Sequence, residues 1–255
     1  MHIQAYLRFK EQSERLVSFA VLISYAVPEL VNELEAPAPS PGAVRRSDFY
    51  HKSNTCDPPV LLQTASRYEQ ELASYVLLSS FSFFEAFVVG AVEEFIDFHG
   101  GESEFQRRTK KRLHDRLSID HKLFQDEIAK LRTTEKGNAR DRYRTVSRAL
   151  ASKNFRFPGE LLNTYGVKSL VEDISKLKAV QIPELLRTAF AVPLTDKEVE
   201  QFHQIRTERN NVAHGNAGPL DMRMVTSYGL FLRKLAVKTA DHLSEHFFVI
   251  EKYAP

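Results

Sequence analysis

Apolar residues recur at spacings of three and four along most of the chain, which is the pattern of helices that bury one face. No convincing strand pattern occurs before the last few residues. The spacing predicts helices over 4–34, 60–99, 159–180, 183–190, 196–214 and 220–249. The sequence therefore predicts an all-α protein, a bundle of helices.

Two helix boundaries carry local sequence signals. Thr195 and Glu198 stand three residues apart, the spacing of a capping box in which each side chain reaches the backbone N–H of the other residue. Gly100 and Gly101 follow the helix over 60–99, and glycine readily adopts the left-handed conformation that ends helices. We expect one helix to begin after Thr195 and another to end just before these glycines.

Residues 79–98 are apolar on nearly every side of the predicted helix. Such a helix lies at the centre of its bundle or is covered by a partner chain. Glu85 is an acid inside this stretch, where an unpaired carboxylate would be costly. We expect Glu85 to pair with Arg209 or Arg206, or with a purely structural partner.

Charge is distributed unevenly, although the whole chain carries a formal charge of only +2. Residues 104–156 hold sixteen Lys or Arg against seven Asp or Glu, and the rest of the chain is acidic. Either this segment follows a phosphate backbone, with Phe105, Tyr143 and Phe155 as stacking platforms, or it is a solvated helical face. The basic residues predicted to bind RNA are Arg107, Arg108, Lys110, Lys111, Arg112, Arg140, Arg142 and Arg144.

Composition narrows the class of protein. The single cysteine, Cys56, rules out an intrachain disulfide and a thiolate-cluster zinc site. The longest runs without charge, 16–28 and 72–84, have 13 residues each, fewer than the roughly 20 that a membrane span needs. The charged residues before that run do not suit a secretory signal. We therefore expect a cytoplasmic protein that does not enter a membrane.

The segment with the clearest chemical content is RNNVAH, Arg209 to His214. A guanidinium offers a permanent charge and a donor fork that fits phosphate oxygens. An imidazole exchanges protons near neutral pH. Cleavage of RNA by its own 2′-hydroxyl needs proton removal, stabilisation of a phosphorane and protonation of the 5′-oxygen. These two side chains suit that reaction without a metal or cofactor.

Geometry constrains how Arg209 and His214 could act together. Five residues correspond to about 140° around a continuous helix, so the two side chains would not converge on one substrate. Either the helix ends near Ala213 and His214 turns back, or residues of two chains assemble one site.

The Arg209–His214 segment resembles the R-x4-6-H motif of the HEPN superfamily, many of whose helical domains are metal-independent endoribonucleases. Residues 79–95, SSFSFFEAFVVGAVEEF, resemble the first-helix pattern of HEPN proteins from bacterial defence and toxin systems. The resemblance covers about residues 60–99 and 196–249. It implies a HEPN-type helical bundle and a homodimer in which two Arg–His pairs line one cleft.

The resemblance also implies roles for individual residues. Arg209 would stabilise the phosphorane, His214 would act as general acid or base, and Asn210 would orient Arg209 or the phosphate. From the residues themselves, Glu85 would support the site through its pairing, and Arg206 would extend the anionic site or be a solvated charge. Asn210 would otherwise be a polar residue that faces solvent. A toxin or antiviral effector of this type can be held inactive by an antitoxin or other regulatory protein. Some HEPN toxins carry a modifiable tyrosine two residues after the histidine, but this chain has Asn216 there.

The organisation that follows is a single domain over 1–255. Its parts are an N-terminal helix and proline-rich loop over 1–58, core helices over 60–99 and 196–249, and a basic, mostly helical insertion over 101–195.

Two other interpretations remain open at the level of sequence. A protein of this fold could be a non-catalytic interaction module, or an RNA-binding regulator that uses only the basic insertion. The residues His242 to His246 also match H-x-x-E-H, a zinc-peptidase pattern, but only nine residues follow in which to find a third ligand. The alternative is that His242 and His246 bind no metal and are two exposed histidines near a helix end.

Overall fold

The computed structural model describes residues 3–36, 58–109, 124–133, 139–153, 155–162, 165–216 and 218–254. All regular elements within these residues are helical, which confirms the predicted all-α fold. The α-helices are α1 (Gln4–Glu35), α2 (Pro58–Ala65), α3 (Tyr68–Phe98), α4 (Glu102–Thr109), α5 (Gln125–Leu131), α6 (Ala139–Ser152), α7 (Pro158–Leu161), α8 (Val167–Ser175), α9 (Ile182–Thr188), α10 (Asp196–Ala213) and α11 (Met222–His246). A short 3-10 helix, Ala179–Gln181, precedes α9.

The helix predicted over 60–99 is in fact two helices, because the chain turns at Ser66 and Arg67. Arg67 N donates to Thr64 O at 3.0 Å, a tighter hydrogen bond than the helical one. The hydroxyl of Ser66 donates to the Gln63 carbonyl at 2.8 Å, so this side chain competes for the last carbonyls of α2. A short run of polar residues thus ends α2 without glycine or proline.

The helix predicted over 159–180 is also divided, into α7, α8 and the 3-10 helix. Gly166 adopts φ +89° immediately before α8, a conformation that interrupts a helix. The chain therefore changes direction where the apolar spacing alone suggested continuity.

The chain forms two compact units. Unit 1 comprises Met1–Lys10, Phe84–Arg206 and Arg233–Pro255, and unit 2 comprises Glu11–Phe83 and Thr207–Leu232. The four long helices, α1, α3, α10 and α11, each contribute residues to both units.

Phenylalanines of α3 occupy the core of unit 1. The Phe95 ring meets the rings of Phe105, Phe190 and Phe247 edge-on, with centroids 5.3–5.8 Å apart. Phe84 meets Phe202 of α10 at 5.9 Å. The part of α3 from Phe84 onward therefore lies in the core of this unit, the first of the two environments expected for it.

The basic insertion packs within unit 1 and has its own apolar cluster. The buried members of this cluster are Ile128, Leu131, Tyr143, Leu150, Phe155, Phe157, Val249 and Ile250. Ile250 N donates to Leu131 O at 2.7 Å, which fixes the C-terminal segment to the end of α5. The insertion is thus folded against the C-terminal segment of its own chain.

Helices α1 and α3 are both long and apolar enough to cross a membrane by length and composition. In α3, 44% of the most apolar 18-residue window is buried, as in a core helix. In α1 the corresponding value is 6%. The exposure of α1 was not apparent from the sequence, where its longest uncharged run, 16–28, had only 13 residues.

Candidate functional site

The Arg209–His214 segment forms the C-terminal end of α10. Gly215 has φ +71° and its N–H donates to Val212 O at 3.1 Å, while Asn216 N donates to Asn211 O at 2.8 Å. These two bonds and the left-handed glycine constitute a Schellman motif, in which His214 is the C-cap residue. Helix α10 thus ends at Ala213, within one residue of the end predicted from the sequence.

His214 is exposed to solvent. The same backbone motif ends α3, where Gly100 has φ +91° and His99 is the C-cap residue. His99 is only 3% exposed, and its Nε2 lies 2.9 Å from the Phe247 carbonyl oxygen. One capping histidine thus belongs to the core, whereas the His214 imidazole is open to solvent.

Arg209 is half-buried, one turn before the helix end. Its guanidinium carbon lies 5.5 Å from the ring centroid of Phe81, a fully buried residue of α3. Its Nη1 donates to Asn210 Oδ1 at 3.1 Å. A ring face and a neighbouring amide therefore contact this guanidinium, and the role of Asn210 at the site stays a prediction.

Phe81 was missed by the sequence analysis. It is one of several phenylalanines in the apolar run of α3, and nothing in its spacing distinguishes it from Phe84 or Phe87. Only the packing of α3 shows which ring faces Arg209.

The backbone does not turn His214 back toward Arg209. His214 N donates to Asn210 O at 3.0 Å, so the chain follows the helical path through His214. The helix ends at Ala213, as the first geometric route requires, but the backbone itself does not reverse before the histidine. Assembly of one site from two chains remains as a prediction.

Glu85 and Arg206 lie in unit 1, whereas Arg209, Asn210 and His214 lie in unit 2. Both Glu85 and Arg206 are half-buried. The Nε of Arg206 is buried and has no hydrogen-bond partner within the described residues. The pairing of Glu85 with Arg209 or Arg206 stays a prediction.

The two arginines of α4 have different environments. Arg107 is exposed and donates two hydrogen bonds to the Glu104 carboxylate, at 2.8 and 2.9 Å. The bond from Arg107 lowers the pKa of Glu104 and raises the pKa of Arg107. The Arg108 side chain is 10% exposed and donates to the carbonyls of His99 and Glu104. Arg108 is thus engaged in holding the end of α3, and Arg107 is the accessible member of the pair.

Helix α6 carries the other predicted RNA-binding residues that the structure describes. Arg140 and Arg142 are exposed, and Arg144 is half-buried. Arg140 lies over Tyr253 and Arg142 over Tyr143, with guanidinium carbons 6.0 and 4.9 Å from the ring centroids. The remaining predicted RNA-binding residues, Lys110, Lys111 and Arg112, lie outside the described residues.

The prediction that Phe105, Tyr143 and Phe155 are stacking platforms for bases is wrong. Phe105 and Tyr143 are completely buried, and Phe155 is 3% exposed. They form the apolar face of the insertion, so their rings stabilise the fold and are not available to a nucleic acid.

The two histidines of the H-x-x-E-H segment are half-buried rather than exposed. The His242 ring Nε2 lies 2.8 Å from the Phe190 carbonyl oxygen, and burial lowers the pKa of His242. His246 lies beside Glu245, with Nε2 and Oε2 3.9 Å apart. Over the part of the chain that the structure describes, no group of three or more His, Cys, Asp or Glu side chains is placed to hold a metal.

A cavity of about 520 Å³ lies in unit 1, beside the end of α3. Its wall includes His99, Arg108, Glu251 and Lys252. The His99 and Glu251 side chains are almost fully buried, with Nδ1 and Oε1 3.9 Å apart. Gly159 N donates to the other Glu251 oxygen at 3.0 Å. None of the residues predicted for catalysis lines this cavity.

Comparison with known proteins places these observations in a family. Neither the curated proteins nor the solved structures give a match. The family model described as RiboL-PSP-HEPN matches residues 49–245, which include α3, the insertion, α10 and most of α11. Since this match covers most of the chain and includes the Arg209–His214 segment, the protein belongs to the RiboL-PSP-HEPN family of HEPN domains.

Proposed function

We propose that this protein is a metal-independent endoribonuclease whose active residues are Arg209 and His214. Membership of a HEPN family supports an RNA-related function, since HEPN domains are often ribonucleases. The observation that carries the proposal is the end of α10, where a capped terminus exposes His214 and Phe81 holds the Arg209 guanidinium.

The reaction needs three things from the protein. A base removes the proton from the ribose 2′-hydroxyl, whose oxygen then attacks the adjacent phosphorus. An acid protonates the departing 5′-oxygen, so the products carry a 2′,3′-cyclic phosphate and a 5′-hydroxyl. His214 serves as the acid or the base, and general acid–base catalysis of this kind contributes about 10²–10⁴-fold. Arg209 stabilises the charge of the phosphorane.

Two copies of the chain complete the site. Arg209 and His214 are separated by about 140° on one helix, so one scissile phosphate is served by the arginine of one subunit and the histidine of the other. Exposed basic residues of the insertion, Arg107, Arg140 and Arg142, recruit the RNA by its phosphates.

The biological role that fits such an enzyme is a bacterial toxin or antiviral defence effector in the cytoplasm. Its activity would be restrained by an antitoxin or another regulatory protein until a trigger releases it. Expression of the active chain alone is then expected to arrest growth.

The test uses purified full-length protein and a panel of unstructured and stem-loop RNAs. We expect cleavage in the presence of chelator and products with 5′-hydroxyl ends. A single 2′-deoxy substitution on the 5′ side of the scissile phosphate should block cleavage at that position, because the nucleophile is gone. His214→Ala and Arg209→Ala should each reduce the rate by about 10²-fold or more.

Matched controls separate this proposal from its alternatives. Arg223→Ala removes an exposed arginine of unit 2, and His246→Ala removes a histidine of the H-x-x-E-H segment. Both should leave cleavage unchanged, whereas a zinc site would make His246→Ala inactive. Folded wild-type protein that leaves every RNA intact would favour the interaction module. RNA binding that is weakened only by charge reversal of Arg107, Arg140 and Arg142 would favour the regulator.

A further inference from the structure

Helix α1 carries an exposed apolar surface on unit 2. Five large apolar residues of this helix are each between 50% and 75% exposed. They are Val17, Phe19, Val21, Leu22 and Tyr25, and the last four, which lie away from the buried side of the helix, are called the α1 face. Ser13 and Ala20 are buried on the opposite side of the same helix. Helix α1 therefore packs with one side and leaves a second apolar side uncovered.

The size of the α1 face suits an interface. A large aromatic side chain has roughly 150–250 Å² of surface, and at the observed exposures the face amounts to roughly 500 Å². Soluble monomers rarely show contiguous apolar patches beyond a few hundred Å². When the same face is used by two copies, the buried total is roughly 1,000 Å², about the lower limit for a specific interface.

The composition of the α1 face is also typical of a protein–protein interface. Residues 16–28 contain no charged side chain, and the centres of interfaces are depleted of charge. Charges return on both sides of the α1 face, with Arg15 before it and Glu29 after it. The face is therefore an apolar centre with a charged rim.

The rim charges favour an antiparallel partner. Arg15 lies seven residues before Leu22, and Glu29 lies seven residues after it. Both rim side chains are on the exposed side of the helix, and that of Arg15 is 77% exposed while it donates to Glu11 of its own helix at 2.6 Å. If two α1 helices cross with Leu22 at a two-fold axis, Arg15 of one chain faces Glu29 of the partner subunit. A two-fold interface uses the same patch on both subunits, and this face is self-complementary.

A membrane surface is a poorer occupant. Helices that lie on anionic membranes carry lysines and arginines beside their apolar face. Helix α1 carries three basic residues at its N-terminal end but five glutamates in all, and Glu29, Glu33 and Glu35 give its C-terminal end a charge that anionic lipids would repel.

We infer that the α1 face is the surface through which two copies of this chain associate, antiparallel about Leu22. The face lies outside the matched family region 49–245, so the surface belongs to this chain's own N-terminal helix. It lies on the unit that also carries Arg209, Asn210 and His214. The inference rests on the proposed function for one consequence, that pairing through this face completes the nuclease site.

The experiment measures the mass of the full chain by analytical ultracentrifugation over a range of concentrations. Wild type should be a dimer at micromolar concentration. Leu22→Glu should raise the dissociation constant by more than about a hundredfold, because an isologous contact would bury two new carboxylates. Val180→Glu is the matched control, since Val180 is an apolar residue with 45% exposure outside the face. It should remain dimeric, and circular dichroism should show that both variants are folded.

The possible outcomes test dimerisation through the α1 face separately from the proposed nuclease activity. A monomeric wild type, or a folded Leu22→Glu variant that dimerises like wild type, overturns the inference. A monomeric wild type that floats with vesicles of phosphatidylcholine and phosphatidylglycerol would assign the face to lipid instead. A monomeric Leu22→Glu variant without cleavage supports both proposals. A monomeric variant that cleaves RNA at the wild-type rate confirms the surface but contradicts a nuclease site shared between subunits.

Discussion

The chemistry of the site depends on where two side chains are held at the end of one helix. Arg209 is restricted by the Phe81 ring and by Asn210, and His214 occupies a capped but exposed position. The residue types and their spacing could be predicted from sequence, because a guanidinium and an imidazole suit phosphate chemistry wherever they lie. The Phe81 contact could not, since it depends on how α3 packs.

Gly215 sets the backbone that presents His214. It has φ +71°, and an added Cβ would meet no atom within 4 Å, so the cost of Gly215→Ala is conformational rather than steric. We expect Gly215→Ala to lower the free energy of unfolding, measured by urea titration, by about 1 kcal/mol, because alanine is strained at positive φ. It should also cleave RNA more slowly, because the strained cap shifts His214.

Gly218→Ala is the control for Gly215→Ala. An added Cβ at Gly218 also meets nothing within 4 Å, but this glycine has no positive φ. Gly218→Ala should have the free energy of unfolding and the RNA cleavage rate of wild type. Equal effects of the two substitutions would contradict a role for the left-handed cap.

Phe81 should position Arg209 for catalysis. Phe81→Leu removes the ring beneath the guanidinium, and Phe84→Leu removes an equally buried ring from the same helix. We expect both to lose about 1–1.5 kcal/mol of stability in urea unfolding. Only Phe81→Leu should reduce the kcat for RNA cleavage, by about ten- to hundredfold, since small displacements of catalytic groups are costly. Equal kcat values for the two variants would leave Phe81 with a purely structural role.

At the scale of elements, the best predicted features have short sequence signals. The capping box at the start of α10 is formed, with Thr195 N donating to Glu198 at 2.7 Å and Glu198 N donating to Thr195 Oγ1 at 3.2 Å. The glycine stop of α3 is also present. The turn between α2 and α3 lacked such a signal, because polar side chains rather than glycine or proline produce it.

The error at Phe105, Tyr143 and Phe155 has a related cause. Tyr143 and Leu150 of α6 stand seven residues apart, on one face of a helix, and both are completely buried. The many charged residues between these apolar positions make the periodicity hard to recognise in the sequence. A strongly basic segment can still bury an apolar face, which Val249 and Ile250 of the C-terminal segment complete here.

The start of α10 gives a pH-dependent prediction. Burial raises the pKa of Glu198, but hydrogen bonds from Thr195 and from Lys238 of α11 outweigh it and lower the pKa overall. A lowered carboxyl pKa stabilises the fold above about pH 4.5, and this contribution is lost as the pH falls through the folded-state value. Glu198→Gln should therefore lower the free energy of unfolding by about 1 kcal/mol at pH 7 and by much less at pH 3. Urea titrations at the two pH values measure this difference.

Glu200→Gln provides the comparison, because Glu200 is exposed on the same helix. It should change stability little at either pH. A Glu198→Gln deficit that is the same at pH 3 and pH 7 would show that the carboxylate charge does not contribute.

At the scale of the whole molecule, the chain combines a HEPN motif, a basic insertion and an exposed apolar helix. The family match and the all-α fold agree with the resemblance read from the sequence. The exposure of the α1 face could not be predicted, because its spacing is equally typical of a helix covered on both sides. That exposed face and the separation of Arg209 from His214 on one helix both favour a second subunit.

The central claim is that Arg209 of one subunit and His214 of another act on the same phosphate. The most direct measurement is RNA cleavage by a mixture of Arg209→Ala and His214→Ala chains after subunit exchange. Each variant alone should be inactive, and the mixture should regain cleavage, since mixed dimers retain one arginine and one histidine in the shared cleft. A mixture that exchanges subunits yet stays as inactive as its components would contradict the claim.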